Sequence, residues 1–234
     1  MIEQKYKSVS IVVPIYNERN TVKKILSQVL RAKTLELKKE VIVVDDGSTD
    51  GTREYIKSLR NPIIKKIFLD QNYGKGYALR AGFKKVTGDI VIIQDADLEY
   101  DPNDYQVLLA PFLAQNIKAV FGSRELNINK HSYVSYFLGG KIITFLTKLL
   151  FGGRLTDVPT GYKVIENKTL KKFKLKCTRF EFCPELTAYI LKNKVPIVEV
   201  PIRYKPRKIE DGKKIRFYDG IEAILTLFRV RVGL

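Results

Sequence analysis

VIIQDADLE, Val91 to Glu99, runs from apolar residues of strand type straight into two carboxylates one residue apart. Side chains two apart in an extended chain point to the same side, so Asp95 and Asp97 can converge on one point. Two aspartates at the carboxyl end of a buried strand are costly to bury unpaired and need a cation. Hard oxygen ligands suit Mg²⁺ or Mn²⁺, which usually share their coordination shell with substrate phosphates. The plainer alternative is a strand followed by an acidic turn, with Asp101-Pro102 supplying the turn chemistry.

Upstream, the same pattern of buried strand and polar turn occurs twice more. Ser8 to Pro14 (SVSIVVP) reads as a strand leading into Ile15-Tyr16-Asn17-Glu18, and Glu40 to Asp45 (EVIVVD) leads into Asp46-Gly47-Ser48. Helical spacing of Val22, Ile25, Leu26, Val29 and Leu30 predicts a helix between those strands. A helix near Thr52 to Leu59, a strand near Ile63 to Leu69 and a helix opening at Lys75 complete the approach to the acidic strand at Ile90 to Gln94. Alternating strands and helices give an α/β fold with a mainly parallel sheet, whose ligands sit at the carboxyl ends of strands. The three polar clusters therefore meet on one edge.

Downstream, a helix near Asn103 to Ala114 and a strand at Ala119 to Gly122 lead to Ser123-Arg124, where the alternation breaks. Tyr133 to Phe151 reads as an apolar helix interrupted by Gly139-Gly140, with Lys141, Thr144 and Lys148 on one stripe. It fits either a core helix or one lying in a lipid interface, because its apolar arc is wide and its charges are all lysine. A helix from Phe182 to Lys192, a strand from Ile197 to Tyr204, a basic loop from Lys205 to Lys214 and a final helix from Ile221 to Val232, with Asp219 as its cap, close the chain.

Composition bounds the function classes. The 234 residues are 45% hydrophobic and 29% charged, as in ordinary globular proteins, but 42 Lys+Arg against 25 Asp+Glu give a net charge of +17. Such a field attracts nucleic acid, anionic lipid or phosphorylated substrates. No helix-turn-helix, zinc or stacking-sheet signature supports nucleic acid, and a metal-phosphate site is the better partner for the acidic pair. Cys177, Cys183 and the single His131 have neither zinc spacing nor a disulfide framework, which suits a reducing compartment. No signal peptide and no uninterrupted apolar run of membrane length is present.

With these residues placed, the chain resembles family 2 glycosyltransferases of the GT-A (Rossmann-like) fold, in particular the dolichyl-phosphate mannose or glucose synthases. The resemblance rests on an ordered set: IVVPIYNE (Ile11 to Glu18), VVDDGSTDGT (Val43 to Thr52), GKGYALRAGF (Gly74 to Phe83), DADLE (Asp95 to Glu99), GSR (Gly122 to Arg124), PTGYKV (Pro159 to Val164) and EVPIRYKPRKIEDGKKI (Glu199 to Ile215). It implies that 1–234 act as one domain, with 1–99 holding the nucleotide sugar and 100–234, with their amphipathic helices, holding the acceptor. It puts Pro14, Tyr16, Glu18, Asp45 and Asp46 around base and ribose, and Lys75, Asp95 and Ala96 at the rest of the donor. Asp95, Asp97 and Glu99 become the ligands of Mg²⁺ or Mn²⁺.

The implied reaction is inverting transfer of a hexose, from a GDP-mannose or UDP-glucose type of donor, to a polyprenyl or dolichyl phosphate. The enzyme would sit peripherally on a membrane surface, in the cytoplasm at the inner face. Arg124, Arg207 and Lys214 match the acceptor-phosphate cations and, with Asp97, form the catalytic set. Glu185 matches a family glutamate that would hold an acceptor-site arginine or act as a base toward a hydroxyl acceptor. Two departures stand out. The chain reaches Leu234 without the transmembrane helices of many relatives, and its basic loop carries Asp211 in a PR…EGKKI-like pattern shared by several donor specificities. With no Trp, it lacks the QxxRW motif of processive synthases. A transferase acting on a glycan or protein hydroxyl is the other enzyme reading.

Overall fold

The structure, a computed structural model, describes residues 5–114, 117–129, 133–207, 210 and 214–233. His131, Asp211 and most of the basic loop between Arg207 and Lys214 lie outside the described residues.

The first half forms β1 (Ser8–Ile15), α1 (Val22–Arg31), β2 (Lys38–Asp45), α2 (Thr52–Ser58), β3 (Ile64–Phe68), α3 (Lys75–Phe83) and β4 (Ile90–Ile93). A 3₁₀ turn at Pro102–Asp104, with the Asp101 side chain accepting from Asn103 N, leads into α4 (Tyr105–Ala114) and β5 (Ala119–Ser123). Then follow α5 (Val134–Phe151), β6 (Lys163–Glu166), α6 (Asn167–Leu170), α7 (Phe182–Lys192), β7 (Ile197–Pro201) and α8 (Phe217–Val232).

The seven strands make one sheet in the order β3-β2-β1-β4-β6-β5-β7. Strands β3, β2, β1 and β4 are parallel, β6 runs antiparallel to β4 and β5, and β7 is parallel to β5. This is the mainly parallel α/β sheet read from the sequence. Continuous Val/Ile runs in β1, β2 and β4 suit strands buried on both faces, and both faces carry an apolar cluster. Chain order runs from β1 outward to β3 and returns to β4 on the other side of β1, so the sheet's switch point lies between β1 and β4. There the loops after the two strands part and leave a crevice.

Beyond β6 and α6, which the sequence did not reveal, and β7, which ends at Pro201 and not Tyr204, two helices differ from the sequence reading. Helix α5 runs unbroken through Gly139 and Gly140, although a helical glycine costs about 1 kcal/mol relative to alanine. It also divides its apolar arc: Ile143, Leu146, Leu150 and Phe151 pack partly buried against the core, and the rest faces outward. Its buried side chains are Thr144 and Thr147, while Val134, Leu138, Ile142, Phe145 and Leu149 are between 53% and 73% exposed. Thr144 Oγ1 accepts from Val158 N at 3.2 Å and Thr147 Oγ1 donates to Ile143 O at 2.7 Å, so both hydroxyls are satisfied where they are buried. The final helix starts at Phe217, four residues earlier than its apolar pattern indicated. Asp219 does not precede it as the cap but closes a capping box from inside, accepting from Arg216 N at 2.7 Å.

Helix α8 packs on α5 and α7, and Ile221, Leu225, Phe228 and Val232 leave a second exposed apolar row. Among the described residues α5 is the one helix whose length and composition would let it cross a membrane, although Lys141 and Lys148 interrupt its apolar run.

Candidate active site

A cavity of about 1170 Å³ opens at the switch point and extends along the inner side of α5 and α8. It gathers Pro14, Tyr16, Glu18, Asp46, Lys75, Asp95, Ala96, Asp97, Glu99, Arg124, Arg207 and Lys214 on one wall system, from seven separate stretches of chain. Asp45 and Glu185 are the expected site residues that do not line it.

The strand ends are cross-linked before any ligand arrives. Asn17 takes a positive φ of 48°, its N–H donates to Ser48 Oγ, and its Oδ1 accepts from Thr49 N. Glu18 N donates to Thr52 Oγ1 at 3.0 Å, which joins the loop after β1 to the start of α2. Asp46 accepts from Tyr73 N, Gly74 N and Asn72 Nδ2 at 2.9, 2.8 and 3.0 Å. Its carboxylate thus shapes the turn that presents Lys75. Burial raises the Asp46 pKa despite those backbone donors.

Lys75 Nζ lies 2.6 Å from Asp95 Oδ1. Burial opposes the charge of this lysine, but the acidic groups around it, Asp95 foremost, together raise the pKa. Asp97 Oδ1 accepts from Glu99 N at 3.1 Å, and the intervening Leu98 takes φ 65°, a left-handed conformation that turns the chain sharply after the acidic pair. Burial, then the negative charges of Asp95 and Glu99, push the Asp97 carboxyl up to about 7. Asp95 and Asp97 thus face one lysine, whose charge offsets theirs only in part. Glu99 itself is turned to the opposite wall, where its oxygens accept from Tyr204 OH at 3.0 Å and Arg207 N at 2.5 Å. It stands apart from Asp95 and Asp97 as a ligand, and no group of three His, Cys, Asp or Glu among the described residues makes a complete metal set.

Arg124 sits at the end of β5, held by a fork to Asp157: Nε to Oδ2 at 2.7 Å and Nη2 to Oδ1 at 2.6 Å. Its guanidinium carbon lies 5.1 Å from the Tyr204 ring centre. Burial disfavours the Asp157 charge, but Arg124 holds its carboxyl below the usual carboxylate range. Glu199 on β7 in turn accepts from Thr156 N at 2.6 Å and Asp157 N at 3.0 Å. The segment 156–161 therefore links the arginine to the acidic strand, because Gly161 packs so tightly that a Cβ there would lie 2.3 Å from Asp95 Oδ2. The alternation of strands and helices breaks at Ser123-Arg124, so the sequence offered no element on which to place Asp157.

Two further expectations are corrected, beside that of Glu99 as a metal ligand. Asp45 is fully buried below the cavity and paired with Arg53 Nε at 2.6 Å, while its Oδ1 has no hydrogen-bond partner among the described residues. Glu185 is buried in α7 and accepts from Lys176 N at 2.8 Å and Cys177 N at 3.1 Å. It anchors the loop before α7; it neither holds an arginine nor reaches the cavity as a base.

The model of the family described as Glycosyl transferase family 2 matches residues 10–173, which carry most of β1, all of β2 to β4, the acidic pair and Arg124. The chain belongs to glycosyl transferase family 2. This glycosyltransferase is 29% identical over 250 residues to the UDP-N-acetylglucosamine–dolichyl-phosphate N-acetylglucosaminyltransferase of Methanococcus voltae, covering 97% of both chains. It is 39% identical over 216 residues to the undecaprenyl-phosphate 4-deoxy-4-formamido-L-arabinose transferase of Photorhabdus laumondii, covering 90% of this chain and 64% of that relative. In fold it is similar to glucosyl-3-phosphoglycerate synthase of Mycobacterium tuberculosis bound to UDP: TM-score 0.75, 20% identity, 97% of this chain and 81% of that one. That synthase has also been crystallised with Mg²⁺ or Mn²⁺.

The donor set of this glycosyltransferase fits a hard divalent cation. Asp95 and Asp97 offer carboxylate oxygens whose charge Lys75 offsets only in part, and two protein ligands would leave room for diphosphate oxygens and water, as Mg²⁺ and Mn²⁺ prefer.

Proposed function

We propose that this glycosyltransferase moves a hexose or N-acetylhexosamine from a nucleotide-diphosphate sugar to a polyprenyl phosphate, working at the cytosolic surface of a membrane. The observation that carries the reading is the continuity of the cavity. It joins Asp95 and Asp97 to Arg124 and runs on between α5 and α8, whose outer faces are apolar. A polar reaction centre opening onto an apolar two-helix face fits an acceptor with a charged head and a hydrocarbon body. The relatives named for dolichyl-phosphate and undecaprenyl-phosphate substrates support the same acceptor class.

The chemistry asked of the chain is modest. A phosphate monoester has a second pKa of about 6 and is largely dianionic at neutral pH, so the acceptor needs no general base. That agrees with Glu185 lying outside the cavity. The acceptor phosphate oxygen bonds to the anomeric carbon while the bond to the donor diphosphate breaks, its electron pair leaving with the nucleotide and the sugar centre inverting. Arg124 orients the attacking phosphate with a guanidinium that Asp157 fixes in place. Lys75, beside Asp95, contributes positive charge where the diphosphate departs. A divalent cation held by Asp95 and Asp97 would supply Lewis-acid neutralisation of the leaving group.

The exposed rows on α5 and α8 sit in the bilayer interface, with Lys148 and Arg231 among the headgroups. A thermal-shift panel of GDP-mannose, UDP-glucose, UDP-GlcNAc and UDP-glucuronate with Mn²⁺ selects the donor. A donor at a hundred times its dissociation constant adds about 2.7 kcal/mol. Transfer from that donor is then followed to undecaprenyl phosphate and, separately, to glycan hydroxyls. Label in the glycans without a lipid-extractable product replaces this reading with the hydroxyl-acceptor one.

A further inference from the structure

The strap of residues 176–179, just before α7, has every backbone N–H and C=O hydrogen-bonded. Glu185 accepts from Lys176 N and Cys177 N, and Glu181 Oε1 accepts from Thr178 N at 2.9 Å and Arg179 N at 3.0 Å. From the other side, Arg80 donates to the carbonyls of Lys176 and Cys177, Tyr77 N to that of Thr178 at 3.0 Å, and Gly76 N to that of Arg179 at 3.2 Å. Helix α3 comes this close through two glycines. A Cβ on Gly74 would lie 2.5 Å from Thr178 O, and one on Gly76 2.7 Å from Cys177 O. Glu181 is itself buried, and its Oε2 has no hydrogen-bond partner among the described residues. An unpaired buried acceptor is destabilising, so the strap keeps this shape at a cost to the fold. Of its residues, Arg179 lines the cavity.

Gly74-Lys75-Gly76 is a glycine-bounded helix start of the kind that cradles phosphate on backbone amides. Here those amides are already taken, Gly74 N by Asp46, and Gly76 N and Tyr77 N by the strap. This wall must therefore hold an anion with side chains. Lys75 is one, but its ammonium is engaged with Asp95 at 2.6 Å. Arg179 is the other. Its Cγ lies 3.1 Å from where a Gly74 Cβ would be, so the side chain runs beside Lys75. Its Nε donates to Asp219 Oδ1 at 3.3 Å, while Nη1 and Nη2 have no hydrogen-bond partner among the described residues, and the side chain is 53% exposed. Asp219 also closes the capping box of α8, so the guanidinium is held between α3 and α8 by one of its N–H groups, with a pair of donors unused. We propose that Arg179 binds the donor phosphate that bears the sugar and stays on it as the bond to the anomeric carbon breaks. This rests on the reading of Lys75 as a cation of the departing diphosphate. The acceptor oxygen bonds to the anomeric carbon and the electron pair of the broken bond passes to that phosphate. Its charge grows, and the charge-assisted hydrogen bonds from Arg179 strengthen with it.

The test is Arg179→Ala, with Arg179→Lys beside it, titrated with Mn²⁺ and either the nucleoside diphosphate or the monophosphate of the selected donor: UDP and UMP for a uridine donor, GDP and GMP for a guanosine one. The monophosphate lacks the phosphate in question. The expected result for Arg179→Ala is diphosphate affinity about tenfold weaker and monophosphate affinity within about twofold of wild type, with Arg179→Lys recovering part of the loss. Equal losses for both nucleotides overturn the proposal, because a loosened strap or α8 does not distinguish them. Unchanged diphosphate affinity also overturns it, and a raised KM for undecaprenyl phosphate in that case assigns Arg179 to the acceptor. Neither titration contains an acceptor, so the proposal and the wider functional reading fail separately. A diphosphate-selective loss in a protein that forms no lipid product leaves Arg179 assigned and removes the polyprenyl-phosphate acceptor. Lipid product together with equal losses does the reverse.

Discussion

Replacing Phe145 and Leu149 on α5 by aspartate tests the membrane face, because both side chains point away from the fold. They are 64% and 70% exposed, so the substitutions remove little from the core. Fully burying a Phe or Leu side chain contributes about 1.5–3 kcal/mol, so two-thirds of that area entering acyl chains contributes about 1–2 kcal/mol per residue. Losing both weakens partitioning by about 2–4 kcal/mol, roughly 30- to 1000-fold, before the cost of placing carboxylates in the interface is added. The basic residues act in parallel. Lys141 is tied to Glu125 at 2.5 Å and Arg229 to Glu222, so Lys148 and Arg231 carry most of the attraction, roughly 1 kcal/mol each near an anionic surface. Flotation with phosphatidylglycerol-containing vesicles is therefore expected to recover the wild type at low salt and less of it at 1 M salt, where the Debye length falls to about 3 Å. The double variant, shown folded by circular dichroism, is expected to stay at the bottom of the gradient. A wild type that fails to float at low salt refutes the reasoning. If the same substitutions instead dissolve a dimer on gel filtration, a second copy covers the face.

Three further outcomes follow from the site. Gly161→Ala forces a Cβ to within 2.3 Å of Asp95 Oδ2, so transfer and metal-dependent nucleotide binding both fall at least tenfold while the melting curve stays cooperative. Arg124→Ala strands the buried Asp157 carboxylate and costs about 3–5 kcal/mol in urea unfolding. Adding Asp157→Asn is expected to restore most of that stability while transfer stays lost and nucleotide titration stays near wild type. Glu40 has its carboxyl lowered to about 2, because Lys65, Ser10 and Thr87 N outweigh its burial. A lowered pKa gives stability that is complete above the ordinary value near 4.5 and lost as pH falls toward 2. The stability gap between wild type and Glu40→Gln is thus about 1 kcal/mol at pH 6, allowing for solvent screening, and closes by pH 2 in urea titrations.

The first half of the fold was legible because its strands are continuous Val/Ile runs ending in polar turns, and each such run forms the strand expected of it. Helix α7 runs from Phe182 to Lys192 as its spacing indicated. Strand β6 was not read: KVIE is four residues long, and its place between β4 and β5 is decided by tertiary pairing. The stripe read on α5 is split by the fold, with Thr144 buried beside Thr147 while Lys141 and Lys148 are exposed, since a threonine whose hydroxyl bonds to backbone is at home inside or outside. At the site, resemblance located the carboxylates but not the partners that consume them. Asp45 went to Arg53, Glu185 to two backbone amides and Glu99 to Tyr204 and Arg207, each a contact between distant parts of the chain or within a loop without periodicity. Asp157 had no motif to mark it and is visible only through the Arg124 fork.

The most direct test of the central claim is the fate of labelled sugar when the selected donor, Mn²⁺ and undecaprenyl phosphate are given to wild type and to Asp97→Asn. The account predicts label in the organic phase, as an acid-labile phosphodiester, for wild type alone, and none when excess chelator is present. Organic-phase label of equal yield from Asp97→Asn, or from wild type in chelator, contradicts the metal site at Asp95 and Asp97; its absence from wild type contradicts the acceptor.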